Sequence, residues 1–541
     1  MKKSLRASVR IAIFVVILAI LTLLCKPTSS AQENGPVSKP ATKGRTYGST
    51  KSASITPRRI EVKAIPDTQL RRHFEEEERG PIPRPAHAQY ERPPRTVPQR
   101  HTRQTIRQPT GAVGPSPVHV PGSADSLLIA ENTDLTTATN SGWEPNVATN
   151  GVATYFSTNY GNAFRPTAAS AFSSVDPYGF MSDISGGFCC DQVLQYIPSI
   201  DRFVWVAQSN LDKNNENVYR IGVASPQELA ASGGAVWTTF DLKSHDLLGA
   251  GDSFDYPEIA YDDKFLFLSC DDVGTSQGML ARIPLAALSG SVAFPTQIES
   301  TLVGGWFNRP VQNTTDRGVF AGQYFEPSGK YVVLQLYTWN DDSASIQTWN
   351  GPEFPISSDW QTLTPNGNDW LGTNTKVGEH IYGATQMNNT ILVAWNSGRQ
   401  PPVLPYPFID MALIDSSTFA LLHEEIIWSP QFAYAYPALA TSSDGFGNSK
   451  IGISLSYGGP ATAVAHAVGF RNGDYNWKIQ ATTTSQGLGG GGHYLGIRPF
   501  PSSLCFAAAG YVAVPDAANQ PYGYTNDPLL VVFGPASTSC P

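Results

Sequence analysis

The sequence predicts an all-β chain that forms a seven-bladed β-propeller of four-stranded antiparallel blades, preceded by a disordered Pro/Arg-rich arm. Three stretches repeat one another: Glu-Pro-Asn-Val-Ala at 144–148, Tyr-Pro-Glu-Ile-Ala at 256–260 and Tyr-Pro-Ala-Leu-Ala at 436–440. Each leads through a polar turn into an apolar run of the kind that forms a strand. Such a unit cannot bury both faces alone, so it must stack on its neighbours.

Four weaker copies of the unit fill the intervals and bring the number of predicted blades to seven. They begin at residues 191, 320, 382 and 494, so the seven units lie about 47 to 66 residues apart. Radial closure is favoured because it leaves few exposed strand edges. We expect residues 127–130 to supply the outer strand of the last blade, beside the strand at 529–533. The 11 Trp, 22 Tyr and 25 Phe can fill a large β core.

Residues 1–31 are predicted to be a cleaved export signal. Lys2 and Lys3 open a basic start, an apolar run follows at 11–24, and small residues end at Ala31. Fourteen apolar residues are too few to span a bilayer comfortably. We therefore expect a secreted or periplasmic bacterial protein without a transmembrane segment after removal of the signal. The alternative is an uncleaved anchor.

Residues 32–125 form the predicted disordered basic linker. They carry 16 Lys and Arg against 9 Asp and Glu, are rich in Pro, and contain few apolar residues that could build a core. The linker could tether the protein electrostatically to an anionic envelope. A spacer or a removed pro-segment is the other reading.

Residues 126–541 form the predicted propeller domain, which is strongly acidic. It carries 16 Lys and Arg against 36 Asp and Glu, and a nucleic-acid partner is thereby disfavoured because phosphate binding needs a cationic surface. No cofactor or metal is predicted, apart from calcium as an alternative at Asp212, Asn214 and Glu216, which alternate as calcium ligands can. High acidity also serves solubility alone. A monomer is expected.

The cysteines predict one disulfide and leave a second pairing open. Cys505 follows a turn between the first and second strands of the last unit, and Cys540 follows the third strand, so both belong at the bottom of the propeller. We define the top as the face where each innermost strand begins. Cys189 and Cys190 lie at the top and either bond to each other or leave one sulfur to bond Cys270.

Residues that open the innermost strands converge at the top mouth of the central channel, where propellers carry their binding sites. Acids, amides and tyrosines there can hydrogen-bond to sugars and stack on them. The catalytic candidates are Asp191, Asp255, Glu258 and His493. The predicted ligand-binding residues are Gln192, Tyr256, Gln323, Tyr436, Tyr494 and Arg498.

The Tyr-Pro-x-Ile-Ala units, with the segments 188–192 and 200–205, resemble the sialidase-like class of propellers and, more closely, secreted bacterial propeller proteins of unassigned activity. The resemblance covers residues 126–541 and implies a propeller. Sialidases also carry an arginine triad and Ser-x-Asp-x-Gly-x-Thr-Trp boxes. Here the nearest box, at 442–446, is broken, and only Arg165 and Arg498 lie in suitable strands, so no catalytic role is carried across.

Two classes of function follow from these patterns. The first is a binding or scaffolding module for an envelope or extracellular glycan or for a protein. The alternative is a carbohydrate-active enzyme, a glycoside hydrolase or polysaccharide lyase, with its site at the channel mouth. Because no complete catalytic signature is present, whether the protein is an enzyme stays open at this point, with binding slightly favoured.

Overall fold

The computed structural model describes residues 41–48, 51–63 and 126–540, except for 140–142, 276, 291–295, 306, 326–330, 356, 358, 366, 368, 372–379, 475, 483–493 and 516–523. The predicted export signal and most of the predicted linker lie outside these residues. All described residues belong to one compact unit that begins at Pro40. None of the helices in the described part of the chain has the length and apolar character that crossing a bilayer requires.

Four strands precede the first blade in the chain. They are β1 (Thr42–Gly48), β2 (Lys51–Ile55), β3 (Arg58–Glu61) and β4 (Leu127–Asp134). The first blade consists of β5 (Asn146–Thr149), β6 (Thr154–Ser157), β7 (Asn162–Arg165) and β8 (Ser173–Val175). The second consists of β9 (Phe188–Ile197), β10 (Arg202–Ser209), β11 (Val218–Ala224) and β12 (Val236–Lys243). The third consists of β13 (Phe254–Tyr261), β14 (Phe265–Asp272), β15 (Gln277–Pro284) and β16 (Thr296–Val303).

The remaining four blades follow the same order from the channel outward. The fourth consists of β17 (Arg309–Pro310), β18 (Arg317–Phe325), β19 (Tyr331–Asn340) and β20 (Ser345–Pro355). The fifth consists of β21 (Ile381–Met387), β22 (Thr390–Ser397), β23 (Phe408–Asp415) and β24 (Leu421–Ile427). The sixth consists of β25 (Ala433–Ser443), β26 (Ser449–Gly459), β27 (Thr462–Arg471) and β28 (Trp477–Ala481). The seventh consists of β29 (Gly496–Pro499), β30 (Phe506–Pro515), β31 (Tyr524–Pro535) and β4.

Helices in the described residues are short and lie between strands. They are α1 (Thr136–Thr139), α2 (Pro177–Phe180), α3 (Pro226–Ser232), α4 (Ser244–Leu247), α5 (Leu285–Ser289) and the 3₁₀ turn Pro198–Ile200. Only α3 carries a full capping box, in which Ser225 and Glu228 satisfy each other's backbone N–H groups. The structure is therefore a β-array with helices confined to connections, as the near absence of helical periodicity predicts.

The seven-bladed propeller and its closing strand are confirmed. Strand β4 pairs antiparallel with β31, where Leu127 faces Pro535 and Ile129 faces Phe533. The last blade thus combines strands from both ends of the domain, so its hydrogen bonds close the ring and leave no open seam. Gly496 allows the seventh and first blades to approach closely beside the channel, because a Cβ at this position would meet the Asn146 Cα of the first blade at 2.9 Å.

The arm differs from its prediction, because part of it forms strands that extend three blades. Strand β1 pairs with β20 of the fourth blade, β2 with β16 of the third and β3 with β12 of the second. Each arm strand is the fifth and outermost strand of its blade. Arg58 pairs with Asp183 at 2.5 Å and Arg59 with Glu228 at 2.7 Å. The basic arm therefore finds part of its complementary charge on the acidic propeller of the same chain.

The fourth blade corrects the prediction for Gln323. The sequence places the innermost strand at residues 320–323, whereas the structure places these residues in β18, the second strand, and β17 at the channel. Gln323 is therefore one strand away from the channel wall. The innermost position belongs to Arg309, whose strand is only two residues long and lacks the apolar run that marks the other units.

The disulfides settle the pairing that the sequence left open. Cys505 and Cys540 are bonded, as predicted, with a Cα–Cα distance of 5.6 Å. Cys189 and Cys190 bond to each other, and Cys270 is a free, buried thiol. A bond from Cys270 to one of the pair is thereby wrong. The vicinal pair lies within an irregularity of β9, where residues 189–191 stand opposite the single residue Gln208 of β10, so β9 bulges at this point.

A buried acid pair at the bottom face gives the interface of the third and fourth blades a pH dependence. Asp262 is 2% exposed, and its burial, followed by the effect of Asp341, raises its pKa to about 7. The unfolded value is lower, so folding takes up a proton and the domain gains stability as pH falls from 8 toward 5. We expect Asp262→Asn to raise the stability at pH 8 by about 1–2 kcal/mol. Thermal unfolding between pH 5 and 8 measures the effect.

The neighbouring variant Asp263→Asn is the matched control, because it removes the same charge from an exposed side chain. The gain from Asp262→Asn should shrink toward pH 5, where the wild-type carboxyl is already protonated. A gain that is equal at all pH values, or equal in the two variants, would show that the acid pair does not titrate as described.

Candidate functional site

Aromatic rings from several blades gather at the top mouth of the channel. The centre of the Tyr256 ring lies 3.7 Å from that of Tyr494, and Tyr382 lies 5.6 Å from Tyr494. The Phe307 ring stacks with the Tyr494 ring at 6.2 Å, and its centre lies 4.1 Å from that of the His380 ring. These residues come from the third, fourth, fifth and seventh blades, so the cluster exists only once the ring is closed.

A buried ion pair adjoins the aromatic rings. The guanidinium of Arg309 pairs with the carboxylate of Glu258, and the two side chains are 9% and 15% exposed. Arg309 also lies over the rings of Tyr256 and Tyr494, at 5.6 and 5.5 Å from their centres. One cation therefore contacts both a carboxylate and two π faces, and partial desolvation strengthens these contacts.

Further carboxylates surround the aromatic rings. Burial raises the pKa of Tyr256 well above its usual value, Arg309 opposes that rise, and the charges of Glu144 and Asp191 add to it. Tyr256 therefore stays a neutral phenol at physiological pH. Asp271 accepts the backbone N–H of Phe307 at 2.8 Å, which holds the base of the Phe307 side chain. The mouth thus combines neutral aromatic faces with several acids and one arginine.

The repeated Pro motif explains how these side chains reach the mouth. The residue before each proline has a left-handed backbone: φ is 51° at Glu144, 52° at Tyr256 and 58° at Tyr436. The strand register shifts at this point in β13 and in β25, as in a β-bulge. A bulge redirects a side chain, and a non-glycine residue in this conformation stores about 1–3 kcal/mol of strain of the kind that collects at functional sites.

Of the predicted residues, Tyr256 and Glu258 meet at Arg309 in this mouth, and the charge of Asp191 acts on Tyr256. Asp255 lies on the same strand as Tyr256, and the charges of Asp255 and Asp191 both act on Tyr219, so these two acids belong to one neighbourhood. His493 lies outside the described residues.

Other predicted residues are used within the fold. The Gln192 side chain donates to Thr158 O and accepts from Trp205 Nε1, so its amide connects the first and second blades. Tyr436 and Tyr494 are 1% and 6% exposed and are packed among the other rings. They shape the mouth but offer little surface to a ligand.

Arg498 lies within the channel wall. Its Nε donates to Leu194 O at 3.0 Å and its Nη1 to Ile497 O at 3.0 Å, and the residue is 7% exposed. The side chain thus reaches from the seventh blade to the second, inside the channel.

Sequence reasoning missed Arg309, Phe307, His380 and Tyr382 as members of the site. Residues 309–312 read Arg-Pro-Val-Gln, which keeps the proline of the repeated unit, so this signal could have located the innermost strand. Tyr382 opens a recognised unit but was not selected. Phe307 and His380 lie in connections and follow no repeat, so no pattern in the chain marks them.

Two further polar clusters lie away from the mouth. Asp212 accepts the backbone N–H groups of Asn214 and Glu216, and Glu216 accepts from Gly251 N, so this loop uses its acids as turn acceptors; the calcium alternative there stays a prediction. His423, Glu425 and Asp474 place possible ligand atoms within 4.8 Å of one another. Arg471 pairs with both acids of that group and supplies its positive charge.

The comparisons with known proteins find distant likenesses among solved structures. No family model matches the chain, and no curated protein matches it. Among solved structures, the Bacillus subtilis arabinanase is 10% identical over 72% of this chain and 93% of its own, with a TM-score of 0.25. The Synechocystis apocarotenoid oxygenase is 8% identical over 63% and 72%, with a TM-score of 0.33.

A third similar structure is the Thermotoga petrophila endo-1,5-alpha-L-arabinanase, 9% identical over 73% of this chain and 98% of its own, with a TM-score of 0.22. These proteins are β-propellers. The class that this chain's own seven blades and site define is a β-propeller with an aromatic and acidic channel mouth. Likeness this distant implies no activity, and the resemblance to sialidase-like propellers is not confirmed.

Proposed function

We propose that the protein is a non-catalytic binding module that takes a glycan at the top mouth. The observation that carries this proposal is the partly exposed ring of Tyr256, which Tyr494 supports from 3.7 Å, beside the Glu258–Arg309 ion pair. Sugar rings present an apolar face and a rim of hydroxyls. An aromatic face with charged acceptors and donors at its edge complements both.

The contacts favour binding over hydrolysis. A glycosidase needs one carboxyl that stays protonated to act as the general acid. Arg309 favours the ionised form of Glu258, so this carboxylate does not suit the general-acid role. Burial keeps the Tyr256 phenol protonated, so this hydroxyl does not suit the nucleophile role. The two disulfides favour an oxidising compartment outside the cytoplasm, where glycans are abundant.

The test is binding of a glycan array by the wild-type protein and by Tyr256→Ala, followed by calorimetry on each ligand found. Loss of an aromatic contact should weaken binding by about five- to 150-fold, in line with about 1–3 kcal/mol for a buried aromatic contact. Tyr256→Phe keeps the ring and should bind nearly as well as the wild type. Melting temperatures of all variants show whether the fold is retained.

The matched control is Phe446→Ala, which removes an aromatic ring that is 89% exposed in the turn after β25, at the opposite face. It should leave binding unchanged. Equal losses in Tyr256→Ala and Phe446→Ala, or no glycan bound by the wild type, would contradict the proposal. Turnover of a polysaccharide that Glu258→Gln abolishes would favour the hydrolase or lyase alternative.

A further inference from the structure

The guanidinium of Arg498 is buried in the channel without a counter-charge. Its Nε and Nη1 donate to the neutral carbonyls of Leu194 and Ile497. Its Nη2 is buried and makes no hydrogen bond to any residue that the structure describes. One donor of a fully buried cation is therefore left unsatisfied, which is rare because the cost of desolvation is not recovered.

The other buried arginines of the described residues differ from Arg498 in their charge partners. Six arginines of the described residues are buried, and every one except Arg498 pairs with a carboxylate. The five paired residues are Arg165, Arg220, Arg282, Arg309 and Arg471. Arg498 forms no such pair, so its positive charge is unmatched by the surrounding protein.

The electrostatic surroundings of Arg498 add to the demand for negative charge. The pKa of Arg498 is lowered to about 10. Burial is the main cause, and the positive charge of Arg309 contributes to the same shift. The group is still protonated at neutral pH. Two guanidinium groups thus act on each other inside the channel, and only Arg309 has a carboxylate partner.

Tyr261, at the end of β13, also feels the charge of Arg498. Burial raises the pKa of Tyr261 to about 12, while the charge of Arg498 opposes the rise, so the phenol keeps its proton at neutral pH. The positive charge of Arg498 thus acts on a second, partly buried group that has no negative charge to offer at neutral pH.

We propose that the channel holds a small monovalent anion, a halide or a carboxylate group, bound by Arg498 Nη2. The anion restores charge balance and satisfies the orphaned donor. This site lies deeper than the mouth and uses none of the aromatic rings proposed for glycan binding. A failure of one proposal therefore does not contradict the other.

The first experiment is diffraction at the bromide absorption edge from wild-type crystals grown in sodium bromide. An anomalous peak within hydrogen-bonding distance of Arg498 Nη2 is expected. In solution, the melting temperature is followed during separate titrations with bromide and formate at constant ionic strength. A saturable rise with either anion is expected, since a ligand bound only by the folded state stabilises it. The more effective anion identifies the source of the negative charge.

Arg498→Met removes the charge and should abolish the saturable rise. The control Arg399→Met removes an arginine near the surface, paired with Asp359, and should keep it. Equal titrations of the wild type and Arg498→Met, together with no anomalous peak at Nη2, would overturn the proposal. If Arg498→Met does not fold, the wild-type diffraction experiment decides alone.

Discussion

Deletion of residues 41–63 is expected to lower the free energy of unfolding by roughly 3–6 kcal/mol, because Ile55 and Val62 each lose about 1.5–3 kcal/mol of burial. The deletion also exposes the outer edges of β12, β16 and β20, which now pair with the arm. Unpaired edges promote association between chains. Thermal unfolding and light scattering measure the two effects together.

A synthetic peptide of residues 41–63 supplies the control. Added to the deleted protein, it should restore the melting temperature and suppress scattering, because strand addition works between chains as well as within one. The double variant Arg58→Gln/Arg59→Gln removes only exposed ion pairs and should cost no more than about 1 kcal/mol for each pair. An unchanged melting temperature after the deletion would mean that the arm strands do not support the blades.

The fold could be predicted from the sequence because its dominant signal is local and repeated. Each blade needs a turn between two apolar runs, so seven copies of that pattern count the blades directly. The closing strand could be predicted as well, since residues 127–130 are apolar and the last unit lacks a fourth strand. The residues of the innermost strand in the fourth blade could not be predicted, because β17 has only two residues and the apolar run lies in its neighbour β18.

The arm strands escaped prediction for a different reason. Residues 51–55 read Lys-Ser-Ala-Ser-Ile, which has little apolar surface and cannot form a strand alone. The edge that orders them lies about 245 residues away in the chain, where Ser54 pairs with Gln297. Composition therefore does not describe the paired state of this segment. Sequence patterns cannot show which sheet edge a polar segment will find.

The candidate site could be predicted only in part, because only some of its residues open strands that the repeat marks. Asp191, Tyr256 and Glu258 open recognised strands, so radial symmetry alone brings them to one mouth. Arg309 escaped because the register of its blade was misassigned. His380 was missed because its ring contact with Phe307 joins residues of different blades without any repeat.

Replacement of Glu425 by Gln is expected to cost about 3–5 kcal/mol, since it leaves the buried Arg471 without its main counter-charge. The Glu425 side chain is fully buried in β24 and accepts from Arg471 Nη2 at 2.7 Å and Trp477 Nε1 at 3.0 Å. These bonds join the outer strand of the fifth blade to the sixth. Urea unfolding of the wild type and Glu425→Gln measures the loss.

Asp474→Asn is the matched control, because Asp474 pairs with the same arginine but is 68% exposed, and exposed pairs contribute about 0–1 kcal/mol. The double variant Glu425→Met/Arg471→Met removes both buried charges and should recover much of the stability that Glu425→Gln loses, since replacing a whole buried pair by apolar groups is often neutral. If Asp474→Asn costs as much as Glu425→Gln, or if the double variant is the least stable, the stabilisation does not come from matching one buried charge to another. The ordering of the three variants therefore separates charge matching from packing at this junction of two blades.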